Sequence, residues 1–264
     1  MLEVKELCKQ YTGRDKKGRK TTIQAVDNVS FIVERNKSYA LVGESGSGKS
    51  TLARLITHIE MSTSGQIKID NKDMSKMGKR ELRMKRADFQ MVMQDGQSSL
   101  DPRIKIYDSI AEPIRNFSSI NKKEEKEKIE NLTQKVELPL EVLNRFPHEL
   151  SGGQQKRICI ARAISVRPKF IIFDEAVSGL DVTVRKKILD LLLRLRNELK
   201  STYFFITHDI DVAMYIAKNI LVMKDGQIVE QIENIKSFSD FKHEYSQMLI
   251  KSLLPKLPSN TQRK

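Results

Sequence analysis

The sequence predicts an α/β fold: a largely parallel sheet flanked by helices, preceded by an N-terminal antiparallel β region and interrupted by a helical lobe. Three observations predict it. Short apolar runs of strand length alternate with segments of helical spacing, the pattern of a parallel sheet covered on both faces. A glycine-rich loop, GESGSGKS at Gly43 to Ser50, stands between one such run and one such helix. From about Asp101 to Glu149 the pattern turns helical and charged, which marks the lobe.

The elements follow in order. LEVKEL from Leu2, IQAVDNVSFIVE from Ile23 and SYALVG from Ser38 are apolar or alternating, and Gly13, Gly18 and Asn36 punctuate them. TLARLITHI from Thr51 has helical spacing, and GQIKID from Gly65 reads as a strand behind a Ser/Thr/Gly turn. IYDSIAEPI and KKEEKEKIENLTQKV supply the helices of the lobe. The sheet resumes with FIIF at Phe170, a helix from about Val182 to Leu199, TYFFIT at Thr202, a helix around Asp211 to Ala217 and a strand pair in ILVMKDGQIVE. The tail carries EYSQMLIKSLL, then Pro255, Pro258 and a basic end expected to fray. The expected organisation is one domain over 1–264, with core and β region in 1–95 and 160–235, the helical lobe in 96–159 and the tail in 236–264.

Composition limits the function classes. At 264 residues and 39% hydrophobic, the chain can bury a core without disulfide staples. Cys8 and Cys159 lie far apart in apolar-periodic segments, which predicts unpaired, buried or half-buried thiols in a reducing compartment. The N-terminus has no basic-then-apolar signal pattern, and no apolar run approaches the roughly 20 residues that span a bilayer. A soluble, cytoplasmic chain is expected. The formal charge of +13 suits nucleic acid, an anionic membrane surface or a phosphate ligand. Its clusters, Arg14 to Lys20, Lys79 to Arg86 and Lys122 to Lys128, have no interleaved aromatic stripe, so solvated faces are favoured and no nucleic-acid partner is expected.

Gly43, Glu44, Ser45, Gly46, Ser47, Gly48, Lys49 and Ser50 fill every position of the phosphate-loop pattern G-x-x-x-x-G-K-[ST], between a strand and a helix. That context gives the motif its chemistry, because the loop amides and the helix N-terminus together cradle phosphates. A phosphate-loop NTPase core is therefore expected. Lys49 is expected to reach the β- and γ-phosphates of ATP, Ser50 to ligate Mg²⁺ and Thr51 to donate to the α-phosphate. FIIFDE at Phe170 to Glu175 supplies carboxylates at the end of a buried-type strand. Asp174 reads as the Mg²⁺ partner, directly or through water. Glu175 reads as the group that orients the attacking water or accepts its proton.

LSGGQ at Leu150 to Gln154, together with the loop and the Asp-Glu strand end, resembles the ATP-binding cassette family of transport ATPases across nearly the whole chain. The resemblance implies a head-to-tail pair in which Ser151, Gly152, Gly153 and Gln154 of one subunit face the nucleotide of the other. Ser151 is also a good helix cap, a reading that leaves the double glycine unexplained. The resemblance further assigns Gln94 in MVMQD to the glutamine loop that contacts metal and water, and His208 in FITHD to the switch that contacts the γ-phosphate. SGLD, ending at Asp181, matches the loop crossing between subunits. Tyr11 fits the aromatic that stacks on adenine, and equally a core-packing ring. Ala176 departs from the family, where many relatives carry proline, which affects loop stiffness more than chemistry.

SSLDPR at Ser98 to Arg103, RFPHELSGGQ at Arg145 to Gln154 and the tail element HEYSQMLIKSLLP resemble the peptide and nickel import branch of that family. RICIARAI, DEAVS and the ending LLPKLPSNTQRK look closer to the second ATPase subunit of nickel importers. The implied function is ATP-driven import of nickel, free or chelated, with oligopeptide or dipeptide import as the alternative. The implied partners are a related but distinct ATPase subunit, two transmembrane permease subunits and an extracellular or periplasmic solute-binding protein. The chain would lie peripherally on the cytoplasmic face of the membrane. A nucleic-acid or ribosome-associated cassette is the rival of another class, disfavoured because the chain has one cassette and no coiled-coil insertion.

Overall fold

Side-chain alternation in three buried strands organises the molecule, a computed structural model that describes residues 1–14, 18–93 and 99–253. β3 (Ser38–Val42), β7 (Phe170–Asp174) and β8 (Thr202–Thr207) are buried along their whole length. Successive residues point to opposite faces, so each strand feeds two cores. Ala40, Val42, Ile171, Phe173, Tyr203 and Phe205 face one core, and Tyr39, Leu41, Phe170, Ile172, Phe204 and Ile206 face the other. Phe173 stacks on Phe205 with centroids 4.6 Å apart.

With β1 (Leu2–Arg14), β2 (Lys20–Val33), β4 (Ser64–Ile69), β5 (Lys72–Asp73), β6 (Phe89–Val92), β9 (Asn219–Lys224) and β10 (Gln227–Ile232), these strands make two sheets. The central sheet has the order β10-β9-β3-β8-β7-β6, parallel from β9 to β6, with β10 antiparallel at one edge. The smaller sheet, β2-β1-β4-β5, is antiparallel. The fold class is therefore the expected α/β core with an N-terminal antiparallel region. Gly13 lies inside β1, opposite Thr21, so the strand runs past the glycine that seemed to end it.

Helices cover both faces. α1 (Lys49–Ile56) packs between the sheets; α3 (Ile106–Phe117) and α4 (Lys122–Lys135) lie in the stretch expected to be a helical lobe, and α5 (Gly152–Ile164) runs past its expected end at 159. α6 (Val182–Leu199) and α7 (Ile210–Ile216) return the chain between strands, and α8 (Glu244–Leu253) is the tail helix. α1 stops three residues short of its apolar pattern: the Thr57 hydroxyl donates back to the Ala53 carbonyl at 2.9 Å, and His58 takes φ of 53°. α2 (Lys79–Lys85) read only as a basic cluster because it buries no residue and has no apolar stripe. Cys8 is half-buried and Cys159 buried, and neither forms a disulfide among the described residues.

The lobe is pinned by one carboxylate. Glu125 of α4 is buried, accepts from Arg115 Nε at 2.9 Å and Nη2 at 2.7 Å, and accepts from the Tyr107 hydroxyl at 3.1 Å. The Arg115 guanidinium holds the Glu125 carboxyl below the usual carboxylate range. Removing the arginine strands that charge in a poorly hydrated place, whereas the half-exposed Arg115 tempers the loss. Arg115→Met is expected to cost about 2 kcal/mol, lowering Tm by about 4–8 °C in a thermal melt; an unchanged Tm would remove this pair from the account of the lobe.

Candidate active site

Strand register sets the site. Val42 pairs with Thr207 and Asp174 with Ile206 in adjacent parallel strands, so the residues that follow β3, β7 and β8 emerge at one carboxyl edge. That edge presents the loop from Gly43, the pair Asp174–Glu175 and His208 together. They enclose a cavity of about 730 Å³ lined by Gly43, Glu44, Ser45, Gly46, Gly48, Lys49, Ser50, Thr51, Glu175 and His208. Ser47 is buried behind the loop.

Two glycines of the loop are fixed by close approach. A Cβ on Gly48, where φ is +102°, would sit 2.1 Å from the Ala25 carbonyl oxygen, and one on Gly43 would sit 2.2 Å from that of Met223. The loop can therefore wedge between β2 and β9 only with glycine at both positions. Lys49, the first helical residue, is folded back into the loop: its ammonium donates to the carbonyls of Gly43 at 2.8 Å and Glu44 at 2.5 Å, and to Ser47 Oγ at 3.3 Å. Burial pulls this ammonium below the ordinary lysine range, opposed by the charges of Glu175, Asp174 and Glu44.

Beside the cavity, the Ser50 hydroxyl donates to the buried Asp174 Oδ1 at 3.2 Å. Burial pushes the Asp174 carboxyl above the usual carboxylate range; the Ser50 hydroxyl opposes this and the neighbouring Glu175 charge adds to it. A hydroxyl and a buried carboxylate with no cationic partner within hydrogen-bonding distance among the described residues are a donor set suited to Mg²⁺, which takes one or two protein oxygens beside substrate phosphates. Glu175 adopts φ of 45°, its amide donates to the Ile206 carbonyl at 2.9 Å, and its Oε1 lies 3.3 Å from His208 Nδ1. The Ser178 hydroxyl closes the turn by donating to the Glu175 carbonyl at 2.8 Å.

The signature residues stand elsewhere. Ser151 caps α5: its Oγ accepts from the Gln154 amide at 3.3 Å while Gln154 Oε1 accepts from the Ser151 amide at 3.0 Å. Buried Gln155 holds the turn from behind, donating to the Pro147 carbonyl at 2.8 Å. Ser151, Gly152, Gly153 and Gln154 line a second cleft, of about 570 Å³, shared with Asp181. Among the described residues, none lines both this cleft and the loop cavity. A Cβ on Gly153 would meet Val184 at 3.0 Å, but one on Gly152 would meet nothing within 4 Å, so packing inside this chain does not require glycine at 152. Asp181 caps α6, accepting from the Val184 amide at 2.9 Å, and Arg185 joins the Leu180 carbonyl to Asp209, the residue after His208.

Gln94 lies outside the described residues. Tyr11 is not among the cavity-lining residues; its hydroxyl donates to Glu60, and Ile23, its partner across the β1–β2 pair, lines the cavity instead. Ile23, Gln24, Ala25 and Leu249 complete the lining, and sequence reasoning missed them. The one available signal was the exposed position of Ile23 on an otherwise polar strand end.

A family model described as ABC transporter matches residues 26–178. The oligopeptide transport ATP-binding protein OppF of Lactococcus lactis subsp. lactis (strain IL1403) is 40% identical over 255 residues, 96% of this chain and 80% of that protein. The dipeptide transport ATP-binding protein DppF of Escherichia coli (strain K12) is 40% identical over 266 residues, covering 100% and 79% of the two chains. The nickel import ATP-binding protein NikE of Brucella suis biovar 1 (strain 1330) is 36% identical over 258 residues, covering 98% and 97%. Among solved structures, the dimeric post-hydrolysis state of the ATP-binding cassette MJ0796 bound to ADP and Pi superposes with a TM-score of 0.79 at 29% identity, over 90% of this chain and 100% of that one.

The raised Asp174 carboxyl gives a signed prediction. A carboxylate whose folded pKa lies above its unfolded value costs stability once it is ionised, and costs nothing below the unfolded pKa. In chelator, Asp174→Asn is expected to raise Tm by a few degrees at neutral pH while keeping the Ser50 bond. The gain should shrink as pH falls through the folded pKa of Asp174; a lower Tm for the variant at neutral pH would contradict the electrostatic account.

Proposed function

The chain belongs to the ATP-binding cassette transporter family, as an ATP-binding ATPase, and from that premise we propose that it is the motor subunit of an importer that takes up nickel, free or chelated. The observation that carries the reading is the separation of two half-sites: one sheet edge gathers Lys49, Ser50, Asp174, Glu175 and His208, while Ser151 to Gln154 face a cleft of their own. A second ATPase subunit placed head to tail joins the two halves over one ATP. Gly152 then has its reason, because a bare backbone lets the loop-bound γ-phosphate approach the start of α5.

Within that site Lys49 holds the β- and γ-phosphates and Thr51 donates to the α-phosphate. Ser50 and Asp174 would hold Mg²⁺, with Gln94, outside the described residues, as the further ligand of this reading; the ion would supply positive charge to the phosphate oxygens. Glu175 orients the attacking water and accepts its proton as the bond from the γ-phosphorus to the bridging oxygen breaks. His208, held 3.3 Å from Glu175, contacts the γ-phosphate from the same edge. The base of ATP reaches the β1–β2 end of the cavity, where Ile23 lines the wall and Tyr11, its partner on β1, stands outside the lining.

The partners of this reading are a distinct ATPase subunit, two permease subunits and a solute-binding protein, with the chain peripheral on the cytoplasmic membrane face. No helix among the described residues is long and apolar enough to cross a membrane, which fits a chain that works through permease subunits. RICIARAI and DEAVS, with the 36% identity to the nickel import protein over 258 residues, support nickel. Peptide import is the second reading, favoured by the 40% identity to the oligopeptide and dipeptide proteins. Uptake of labelled nickel and of a labelled oligopeptide, in cells whose only copy is Glu175→Gln, separates them: loss of nickel uptake alone supports the first reading, and loss of peptide uptake alone overturns it in favour of the second.

The same variant tests the chemistry in the purified assembly. Glu175→Gln is expected to keep ATP binding and to lower turnover by about 10²- to 10⁴-fold in a phosphate-release assay. Turnover within a factor of about two of wild type would remove Glu175 from the base role.

A further inference from the structure

The peptide unit that joins Gly43 to Glu44 is bonded at both ends. Its carbonyl accepts from Lys49 Nζ at 2.8 Å, and its N–H donates to the Tyr245 hydroxyl oxygen at 3.2 Å. Tyr245 lies 201 residues further along the chain, in the tail helix α8, and is 4% exposed. Because a peptide unit is planar, its C=O and N–H turn together, so the partner of one fixes the direction of the other. Bonds in such a chain also polarise one another.

The tail is anchored for this contact. Glu230 Oε1 accepts from the amides of Lys242 at 2.5 Å and His243 at 3.0 Å, and the Tyr245 amide donates to His243 Nδ1 at 3.1 Å. The Lys224 ammonium, at the end of β9, lies 5.1 Å from the centroid of the Tyr245 ring. One turn further along α8, Leu249 lines the loop cavity itself. The tail helix therefore forms part of the wall of the cavity and contacts the phosphate loop directly.

We propose that Tyr245 is a positioning residue for ATP binding: through the Gly43–Glu44 peptide it holds the carbonyl that aims the Lys49 ammonium, making the C-terminal helix part of the nucleotide site. The inference rests on the reading of Lys49 as the ligand of the β- and γ-phosphates. Without the hydroxyl, the Glu44 N–H loses its partner and the peptide plane is free to turn, which loosens Lys49 without altering its chemistry.

A double-mutant cycle on the full chain tests it, with MgATP titrated calorimetrically into wild type, Tyr245→Phe, Lys49→Ala and the double variant. Tyr245→Phe is expected to raise Kd about three- to tenfold, the loss of one hydrogen bond, and to add nothing once Lys49 is alanine. An unchanged Kd, or an effect that persists in full beside Lys49→Ala, overturns the inference, because a merely structural tyrosine would act independently of Lys49. Lys49→Ala binding MgATP as wild type does would overturn the site reading and this inference with it. Should Tyr245→Phe fold poorly, amide hydrogen exchange on the nucleotide-free wild-type chain decides: a protected Glu44 amide supports the bond to Tyr245, and exchange at the rate of an open loop overturns it.

Discussion

The site depends on one electrostatic constraint: an ammonium and a carboxylate are buried at the same sheet edge without pairing to each other. Lys49 is satisfied by carbonyls of its own loop and Asp174 by a single serine hydroxyl, and among the described residues no ion pair joins the two. Each charge is under-compensated, as the opposite directions of their pKa displacement express. A polyphosphate brings negative charge to the lysine, and a divalent cation brings positive charge to the aspartate. On the proposed reading, magnesium-bound ATP would supply both in one ligand at an edge that is costly to maintain unfilled.

The fold exists in large part to maintain that arrangement. Three strands buried on both faces fix where the chain leaves the sheet, and the backbone contacts at Gly43 and Gly48 press the loop against β9 and β2. The antiparallel sheet thereby becomes a wall of the cavity through Ile23 to Ala25, and the tail helix becomes another through Leu249. Among the described residues the helical lobe contributes none to that cavity's lining. Its α5 start is a capped turn with an open glycine, the shape that the proposed head-to-tail partner would use.

Much of this was legible in the sequence because it is written in short-range patterns. The run VTVRKKILDLLLRLRNEL has helical spacing, and α6 spans Val182–Leu199 as read. The loop, the Asp-Glu strand end and the LSGGQ turn were each visible as contiguous motifs, and the register of β3, β7 and β8 brings the first two together. What was not legible depends on distance or on missing contrast. α2 has no apolar stripe to betray it. The bond from Glu44 to Tyr245 joins residues 201 apart, and the cavity wall at Gln24 and Ala25 is set by how two sheets meet. Tyr11 illustrates the converse, since an aromatic in a suitable place turned its hydroxyl to Glu60.

The most direct test of the central claim is MgATP binding by the single purified chain at a concentration where it is monomeric, with Lys49→Ala and Gly153→Asp measured beside wild type. Among the described residues the loop cavity and the signature cleft share no lining residue, so one ATP is expected to bind per chain, weakened strongly by Lys49→Ala and left near the wild-type affinity by Gly153→Asp. Equal weakening by both substitutions, or binding indifferent to Lys49→Ala, would contradict a nucleotide site assembled at one sheet edge and completed from another subunit.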